Sequence, residues 1–468
     1  MSRSALLAMV SALALTGCAV GPTYVSPTPQ APAQAPFVSA TGPTFTVEEP
    51  PVRWWQLFSS PVLDRLVEEA LAANTDLRVA AANLEQARAL LRETRSARLP
   101  STTVSASGTY GRQSGAVAGV AGAGPEGETY DAGLDISYQL DLFGGIKRGI
   151  EASRADLDAA QAAYDLARIS VVAETTRAFS DACGAGRQLA VARDSLRVQE
   201  QTFDLTKRLE DGGRGTGLDT SRAAALLEQT RADVPTFEAE RKAALYRLAV
   251  LTGKPPAQFP ADVADCATPP TIAAALPVGD GTRLLARRPD VRAAERRLAA
   301  ATARVGVATA DLYPSITLGA SVGSTAASAS DLVSERGFRF SLGPLISWNF
   351  PNISASRARL AQAKAVSQGA LASFDGAWLM ALQESESALT RYAAQRDRLA
   401  TLQRAHQQSM EAARIARLRY QAGAESFQIV LDAERSLAAT EALLAASQAA
   451  FSDQTITLFL ALGGGWES

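Results

Sequence analysis

Side chains that could carry chemistry are few in this 468-residue chain, and their spacing does not build a catalytic site. His406 is the single histidine. One histidine cannot form a multi-histidine metal site or most general-base arrangements, so we interpret it as a helix-surface residue. The glycine run at 213–217 is superficially similar to a phosphate-binding loop, but it ends a helical tract instead of following a strand, which favours a cap and turn. We therefore predict no enzyme activity, no metal and no cofactor.

The amino terminus indicates export and lipidation. Arg3 precedes an apolar run that closes with Leu15-Thr16-Gly17-Cys18, a pattern similar to the lipobox of a bacterial lipoprotein signal. It predicts a signal peptide over residues 1–17 and acylation of Cys18, for example with palmitate. An incidental cysteine in an ordinary cleaved signal is the weaker alternative. Residues 18–53 are rich in Pro, Ala and Thr, and are predicted to form an extended, lipidated tether.

The remaining composition argues against a nucleic-acid-binding protein and against a membrane-spanning helix. Lys and Arg number 46 against 48 Asp and Glu, for a net charge of −2, and without a basic cluster we predict no nucleic-acid partner. After the signal, no apolar run reaches the length of a membrane helix. Cys183 and Cys266 could form a bridge in an oxidising periplasm, but their positions in a helix and a linker favour two separate thiols.

An unbroken alternation of apolar and polar residues covers residues 129–141. Its period of two predicts one half-buried β-strand. A strand of this length exceeds the usual strand of a soluble domain and is long enough to cross a bilayer, which takes about 9–11 tilted residues. Asp131, Asp135 and Gln139 lie on its polar face, which we predict to line the lumen of a barrel.

The chain also repeats itself. Residues 76–100 match residues 290–314 without a gap, and an apolar position recurs every seven residues in both. Each copy continues into two strands and a long helical tract, so the repeated unit is helix, strand, strand, long helix. We predict the first repeat over 54–254, a surface linker over 255–282 and the second repeat over 283–468.

The two long tracts, 146–210 and 353–421, contain no proline. Each would form a rod of about 100 Å as a continuous helix, with Gly184 and Gly186 as weak points. Glycine-containing turns end both rods, with Gly213 equivalent to Gly423 and Thr216 equivalent to Ser426. Return helices are predicted over 218–252, with a kink or break at Pro235, and over 427–461.

Four membrane-length strands are too few to close into a barrel. A sheet left open in the membrane would have edge N–H and C=O groups without hydrogen-bond partners, which costs free energy in hydrocarbon. Because the smallest bacterial barrels have eight strands, the chain is expected to pool its strands with other copies: two copies give eight strands and three give twelve. A soluble antiparallel sheet covered by helices is the alternative. The export signal, the strand length and the rods favour the membrane.

An ordered set of short motifs runs along the chain. Its residues are Trp54, Trp55, Phe58, Pro61, Leu63, Asp64, Leu66, Asn74, Asp76 and Leu77; Asp141-Leu142-Phe143-Gly144; Arg287-Arg288-Pro289-Asp290-Val291 with Ala294 and Glu295; Tyr313-Pro314; Leu431-Asp432-Ala433; and Ala461-Leu462-Gly463-Gly464-Gly465-Trp466. Together they resemble the TolC-like outer membrane factors, specifically the NodT-type lipoprotein branch, over nearly all of the mature chain. The resemblance implies a homotrimer in the outer membrane lipid, with a twelve-stranded β-barrel and a long periplasmic α-helical barrel, docked to an adaptor and an inner-membrane pump of the resistance-nodulation-division class.

We therefore predict an export duct that conducts small molecules passively, lipid-anchored in the outer membrane and extending into the periplasm. The alternatives are the channel of a type I protein secretion system and a periplasmic coiled-coil adaptor or scaffold lipoprotein. The resemblance implies that the turns after the rods form the periplasmic aperture and the adaptor-docking tip. The residues predicted there are Asp211, Gly213, Asp219, Arg419, Tyr420, Gly423 and Glu425.

Asp219 of the first turn aligns with Ile429 of the second, so a sixfold ring of carboxylates is not predicted. The sequence does not indicate the substrate, because a wide lumen selects little.

Overall fold

The computed structural model describes residues 19–27, 35–40, 42–112, 114–119, 121–272, 274–351 and 353–464. The predicted signal peptide and Cys18 lie outside these residues, as do Asn352 and Trp466. The helices are α1 (Pro61–Ala73), α2 (Thr75–Ser96), α3 (Gly115–Ala118), α4 (Gly145–Asp211), α5 (Gly217–Leu251), α6 (Gly281–Arg287), α7 (Pro289–Ala310), α8 (Ser354–Gln421) and α9 (Phe427–Ala461). The strands are β1 (Phe45–Thr46), β2 (Ser101–Arg112), β3 (Glu126–Leu140), β4 (Leu276–Pro277), β5 (Ser315–Ala326) and β6 (Phe338–Ser347).

By the density of backbone contacts the chain divides into two compact units. The first contains residues 19–27, Asn83–Gln161 and Ala293–Asp375. The second contains the described residues of Thr28–Ala82, Ala162–Arg292 and Gly376–Ser468. Across the described ranges, no helix is both long enough and apolar enough to cross a membrane.

The first unit is built around an antiparallel sheet in the order β2-β3-β5-β6. The strand predicted over 129–141 is present as β3, which is 15 residues long. The strands β2 and β5 have 12 residues each, and β6 has 10. All of them therefore reach the length that crosses a bilayer, about 9–11 residues.

The helices that precede the strands in the chain, α2 and α7, bury their apolar residues at the predicted seven-residue spacing. Every apolar residue that was matched between the two copies is at most 6% exposed. Alanine fills many of the remaining buried positions, which lets neighbouring helices approach closely. The matched residues are Leu77, Leu84 and Leu91 in α2, and Val291, Leu298 and Val305 in α7.

The long helices are continuous, as predicted. α4 has 67 residues and α8 has 68. Gly184 and Gly186 are not weak points, because a Cβ at Gly184 would lie 2.9 Å from Ala449 Cβ and one at Gly186 would collide with the carbonyl oxygen of Cys266. The break considered at Pro235 does not occur either: α5 runs through it. Pro235 is exposed, so water can satisfy the carbonyl group that its ring leaves without a donor.

The second unit has a large apolar core that surrounds Trp54, which is fully buried and stacks on Phe459 with ring centroids 5.1 Å apart. The prediction of a surface linker was wrong, because Val263 and Leu276 of this segment are fully buried in the core. Part of the segment predicted as an extended tether is packed against the protein. Phe37 is buried in the same core, and β1 pairs in parallel with β4 of the linker.

A disulfide joins Cys183 of α4 to Cys266, with the Cα atoms 4.7 Å apart. The prediction of two separate thiols was therefore wrong. The linker folds back onto α4, and Gly186 lets the backbone of Cys266 approach the helix closely. The two cysteines are 83 residues apart in the sequence, and this spacing alone does not predict that they meet.

Candidate functional site

The sheet of the first unit has one apolar face. Residues directly opposite each other in a ladder point to the same side, and the register aligns Val104, Leu134, Val322 and Phe340 in one row. The next row on this face contains Ile136 and ends at Leu342. Val104, Phe340 and Leu342 are 81%, 75% and 82% exposed. An apolar band of this extent on a folded surface marks a membrane or interaction face.

The opposite face is polar and holds the three residues predicted to line a lumen. Asp131 accepts hydrogen bonds from Thr325 Oγ1 at 2.6 Å and from Arg339 Nη2 at 2.8 Å. Asp135 lies opposite Ser321 in the ladder, and Gln139 lies opposite Thr317, four pairs further along.

Arg339 was missed by the sequence analysis. Its position between Phe338 and Phe340 in the alternation of β6 is the signal that could have found it. A Cβ added at Gly133 would lie 3.4 Å from Arg339 Nη2. The glycine therefore leaves room for the guanidinium on this face.

The first helix-return turn joins α4 to α5 and is fixed by its backbone. Gly213 has a positive φ of 68°, and the N–H of Arg214 donates to Leu209 O at 2.8 Å. This is the usual way in which glycine ends a helix. Thr216 caps α5: its hydroxyl accepts from Asp219 N at 3.3 Å and donates to the Asp219 carboxylate at 2.7 Å. Asp211 is the last residue of α4 and is exposed.

The second turn, between α8 and α9, has the same backbone but different side-chain links. Gly423 has a φ of 71°, and the N–H of Ala424 donates to Arg419 O at 2.9 Å. Arg419 Nε lies 3.5 Å from Glu425 Oε2, as expected for a link between Arg419 and an acid. Ser426 precedes α9 without a side-chain capping bond.

The two turns lie close together in the second unit. Tyr420 packs on Phe427 with ring centroids 5.5 Å apart. Burial, together with the nearby negative charge of Asp219, raises the pKa of Tyr420. The side chains of Arg222 and Gln428 connect α5 to α9 through a 2.9 Å hydrogen bond. The structure thus brings Asp219 of the first turn near Tyr420 of the second.

The sequence analysis did not predict a buried carboxylate, Glu434, in the helices next to these turns. Glu434 of α9 is 3% exposed, accepts from Thr202 Oγ1 of α4 at 3.1 Å and pairs with Arg417 Nε of α8 at 3.1 Å. A buried charge is stable only when it is paired and hydrogen-bonded, so these contacts fix the register of three helices.

In the first unit, the amino-terminal residues 19–26 are docked. The N–H of Val20 donates to Phe143 O at 3.1 Å. The buried guanidinium of Arg148 donates to Val20 O at 3.3 Å and to Gly21 O at 3.4 Å. Tyr24 donates a short hydrogen bond to Glu295, and burial together with this bond raises the pKa of Tyr24 to about 12. We call residues 19–26 the amino-terminal strap.

Among the described residues, no group of His, Cys, Asp and Glu side chains is arranged to hold a metal ion. The features that the structure does assemble are an amphipathic sheet of membrane-length strands, helices of nearly 70 residues and a cluster of helix-return turns. They define a membrane channel protein with a long helical extension.

The chain belongs to the outer membrane efflux protein family, which it matches over residues 66–254 and 282–464. It is the outer membrane export duct of an efflux system, located in the outer membrane and extending into the periplasm.

Individual relatives match over almost the whole chain. Nodulation protein T of Rhizobium leguminosarum bv. trifolii is 32% identical over 464 residues, which cover 97% of this chain and 96% of the relative. The cation efflux system protein CusC of Escherichia coli O6:H1 is 30% identical over 468 residues, which cover 100% of both. The solved structure of the outer-membrane channel OprN has a TM-score of 0.90 at 40% identity and covers 96% of this chain and 100% of that chain.

Proposed function

We propose that three copies of this chain form a twelve-stranded barrel in the outer membrane. The observation that carries this proposal is the amphipathic sheet with its two open edges. Within the described residues, the outer edges of β2 and β6 pair with no further strand. In lipid these edges must pair with neighbouring copies, because unsatisfied backbone groups are costly there. The resemblance to the TolC-like outer membrane factors implies three copies rather than two.

The helices would continue the barrel as a periplasmic α-helical cylinder built from a duplicated unit. Two observations support the duplication. The family matches the chain in two separate stretches, and the order helix, strand, strand, long helix, return helix occurs twice. We retain 54–254 and 283–468 as the two repeats, joined by the linker 255–282.

In this assembly the apolar face of the sheet contacts lipid and the polar face lines the lumen. Asp131, Asp135 and Gln139 would then be lumen residues, and Arg339 would neutralise Asp131. The alternation of the strands supports this assignment, since the two faces differ so strongly in polarity. The scaffold alternative leaves the exposed apolar face without a role.

The two helix-return turns would form the periplasmic aperture and the surface that an adaptor contacts. Each long helix starts directly after a strand of the sheet and ends at one of these turns, which supports their assignment to the other end of the duct. Asp211, Asp219 and Glu425 would each appear three times around the opening. The link between Arg419 and Glu425, and the packing of Tyr420 on Phe427, would hold it closed.

The duct would work passively, without catalysis, and would receive small molecules from a periplasmic adaptor and an inner-membrane pump. The names of the relatives as efflux components support this arrangement. Copurification of the intact protein with an adaptor and a pump is the expected result, whereas association with a type I secretion apparatus would favour that alternative.

The assembly is tested by the mass of the detergent-extracted protein, measured by native mass spectrometry. We expect three times the mass of one chain and single-channel conductance in planar bilayers. A dimer, or a stable monomer that keeps its strand content, would contradict the closure argument.

The lipid anchor is tested separately. Cys18→Ser should abolish incorporation of labelled fatty acid, while the trimer still inserts, because one anchor adds little to a closed transmembrane sheet. Labelling that persists in this variant would remove Cys18 as the acylation site. Cys183→Ser is the matched control and should leave the labelling unchanged.

A further inference from the structure

The polar face of the sheet carries few charges. The register places alternate residues of β2, β3, β5 and β6 on this face. Within the described strands, three of these residues are ionisable: Asp131 and Asp135 of β3, and Arg339 of β6. The charge of this face therefore depends on how these three side chains are paired.

Two of the three charges cancel. Arg339 Nη2 lies 2.8 Å from each carboxylate oxygen of Asp131, and Arg339 Nε donates to Thr325 Oγ1 at 2.9 Å. By register, Arg339 lies in the row of Gly133, and its guanidinium reaches toward the row of Asp131, on the side away from Asp135. A paired guanidinium and carboxylate have no net charge, so this pair adds little to the field in the solvent beside it.

Asp135 is the charge that remains. Its side chain is exposed and makes no ion pair or hydrogen bond with any other described residue. It lies between Thr103 and Ser321 in its row, and the adjoining rows contain only serine and glycine in β2, β3 and β5. Because these side chains are short, they do not cover the carboxylate. The polar face thus presents one open negative charge per chain.

In the proposed trimer, the three copies of Asp135 would lie at one level of the barrel wall, because the symmetry repeats each residue at the same depth. A wide lumen selects little by size, but a charge acts on ions over about one Debye length, which is about 10 Å at 0.1 M salt. Rings of carboxylates attract cations and repel anions in channels.

We propose that Asp135 is a selectivity-determining residue of the duct. Its ring of three carboxylates makes the barrel favour cationic solutes over anionic solutes of the same size, while the pair of Asp131 and Arg339 adds no preference. The substrate class that suits this wall is therefore cationic. The inference rests on the proposed barrel, in which the polar face lines the lumen.

The test is the reversal potential of the trimer in planar bilayers, under a potassium chloride gradient whose concentrated side is about 0.1 M. We expect the wild type to pass potassium in preference to chloride. Asp135→Asn should lower this permeability ratio by about threefold or more, because it removes three charges within about one Debye length of the permeating ions. In about 1 M salt, where the Debye length is about 3 Å, the two proteins should give the same ratio.

Two further variants check that the open charge is the cause. Asp131→Asn should also lower the ratio, since it leaves the charge of Arg339 without its carboxylate. The matched control is Asp265→Asn, which removes an exposed carboxylate of the linker and should leave the ratio unchanged. The acids proposed at the aperture are present in all of these proteins, so they cannot produce a difference between them.

The charge can also be restored chemically at the same position. Asp135→Cys should lose the preference, regain it after reaction with the anionic reagent sulfonatoethyl methanethiosulfonate, and prefer chloride after reaction with the cationic trimethylammonioethyl analogue. The native Cys183 and Cys266 are joined in a disulfide and offer no thiol to these reagents. The control is Ile136→Cys, one residue along on the apolar face, and neither reagent should change its current.

Equal permeability ratios for the wild type and Asp135→Asn at about 0.1 M salt would overturn the selectivity role. The thiol reagents then distinguish the two levels of the proposal. If they change the current of Asp135→Cys but not that of Ile136→Cys, the polar face lines the lumen and only the selectivity inference is refuted. If they change the current of Ile136→Cys instead, the two faces are reversed, and the proposed lumen is refuted together with the inference.

Discussion

The sheet of the first unit and the core of the second unit place their apolar side chains in opposite ways. In the sheet of the first unit, Val104 and Leu342 are more than four-fifths exposed. In the core of the second unit, Trp54, Leu248 and Phe459 have no exposed surface. The same hydrophobic residue types therefore serve two purposes: the core buries them away from water, and the sheet leaves them exposed on the face that is proposed to contact lipid. Burial alone would misjudge the sheet as poorly packed.

The largest change in stability is expected from removing the largest buried side chain of the second unit. Trp54→Ala is expected to lower the free energy of unfolding by about 3–5 kcal/mol, because it deletes a fully buried indole that stacks on Phe459. Thermal unfolding of the detergent-solubilised protein, followed by helical circular dichroism, measures it.

The control is Val104→Ala on the exposed face of the sheet, which should cost much less. If the two substitutions had equal effects, the two units would not differ in the way that their burial indicates.

The disulfide gives the next effect, also confined to the second unit. Replacing both Cys183 and Cys266 by Ser should cost about 2–4 kcal/mol, since the bridge closes a long loop in the unfolded chain. A reductant should destabilise the wild type to the same extent and leave the double variant unaffected. Equal sensitivity of both proteins to the reductant would mean that the bridge is not the source of the difference.

The sequence was informative about periodic features and silent about non-periodic ones. The alternation in β3 and the seven-residue spacing that includes Leu84 and Leu298 are periodic because a single strand or helix sets the direction of each of its side chains. They were therefore predicted correctly. The open edges of the sheet also follow from counting strands.

The missed features all depend on contacts between distant segments. The bridge from Cys183 to Cys266 requires the linker to fold back on α4, and no local pattern records that approach. The same is true of Arg148, whose guanidinium receives the amino-terminal strap, and of Glu434, whose partners lie on two other helices. The roles proposed for the turns also depend on neighbouring copies.

A third prediction concerns the lipid-exposed side of the comparison. Leu134→Arg should destabilise the inserted trimer by roughly 2–4 kcal/mol, because it carries a charge to the face that Val104 and Val322 share. Asp135→Asn, one residue along on the polar face, should be mild. The temperature at which the trimer dissociates on a detergent gel measures both. A mild Leu134→Arg with a severe Asp135→Asn would reverse the assignment of the two faces.

The smallest stability effect is expected at the helix-return turns, where function should respond instead. Arg419→Ala combined with Glu425→Ala removes a largely solvent-accessible ion pair whose atoms are 3.5 Å apart, so the free energy of unfolding should fall by less than about 1 kcal/mol. If this pair holds the aperture closed, the double variant should raise the single-channel conductance in planar bilayers.

The matched control is Arg65→Ala with Asp262→Ala, an exposed ion pair of the same unit that lies in neither turn. It should leave the conductance unchanged at a similar small cost in stability. Because the two pairs are comparably exposed, a difference in conductance would come from their positions in the fold and not from the loss of charge. Unchanged conductance in the Arg419 and Glu425 variant would remove this ion pair from the gate and leave Tyr420, packed on Phe427, as the contact to test at the aperture.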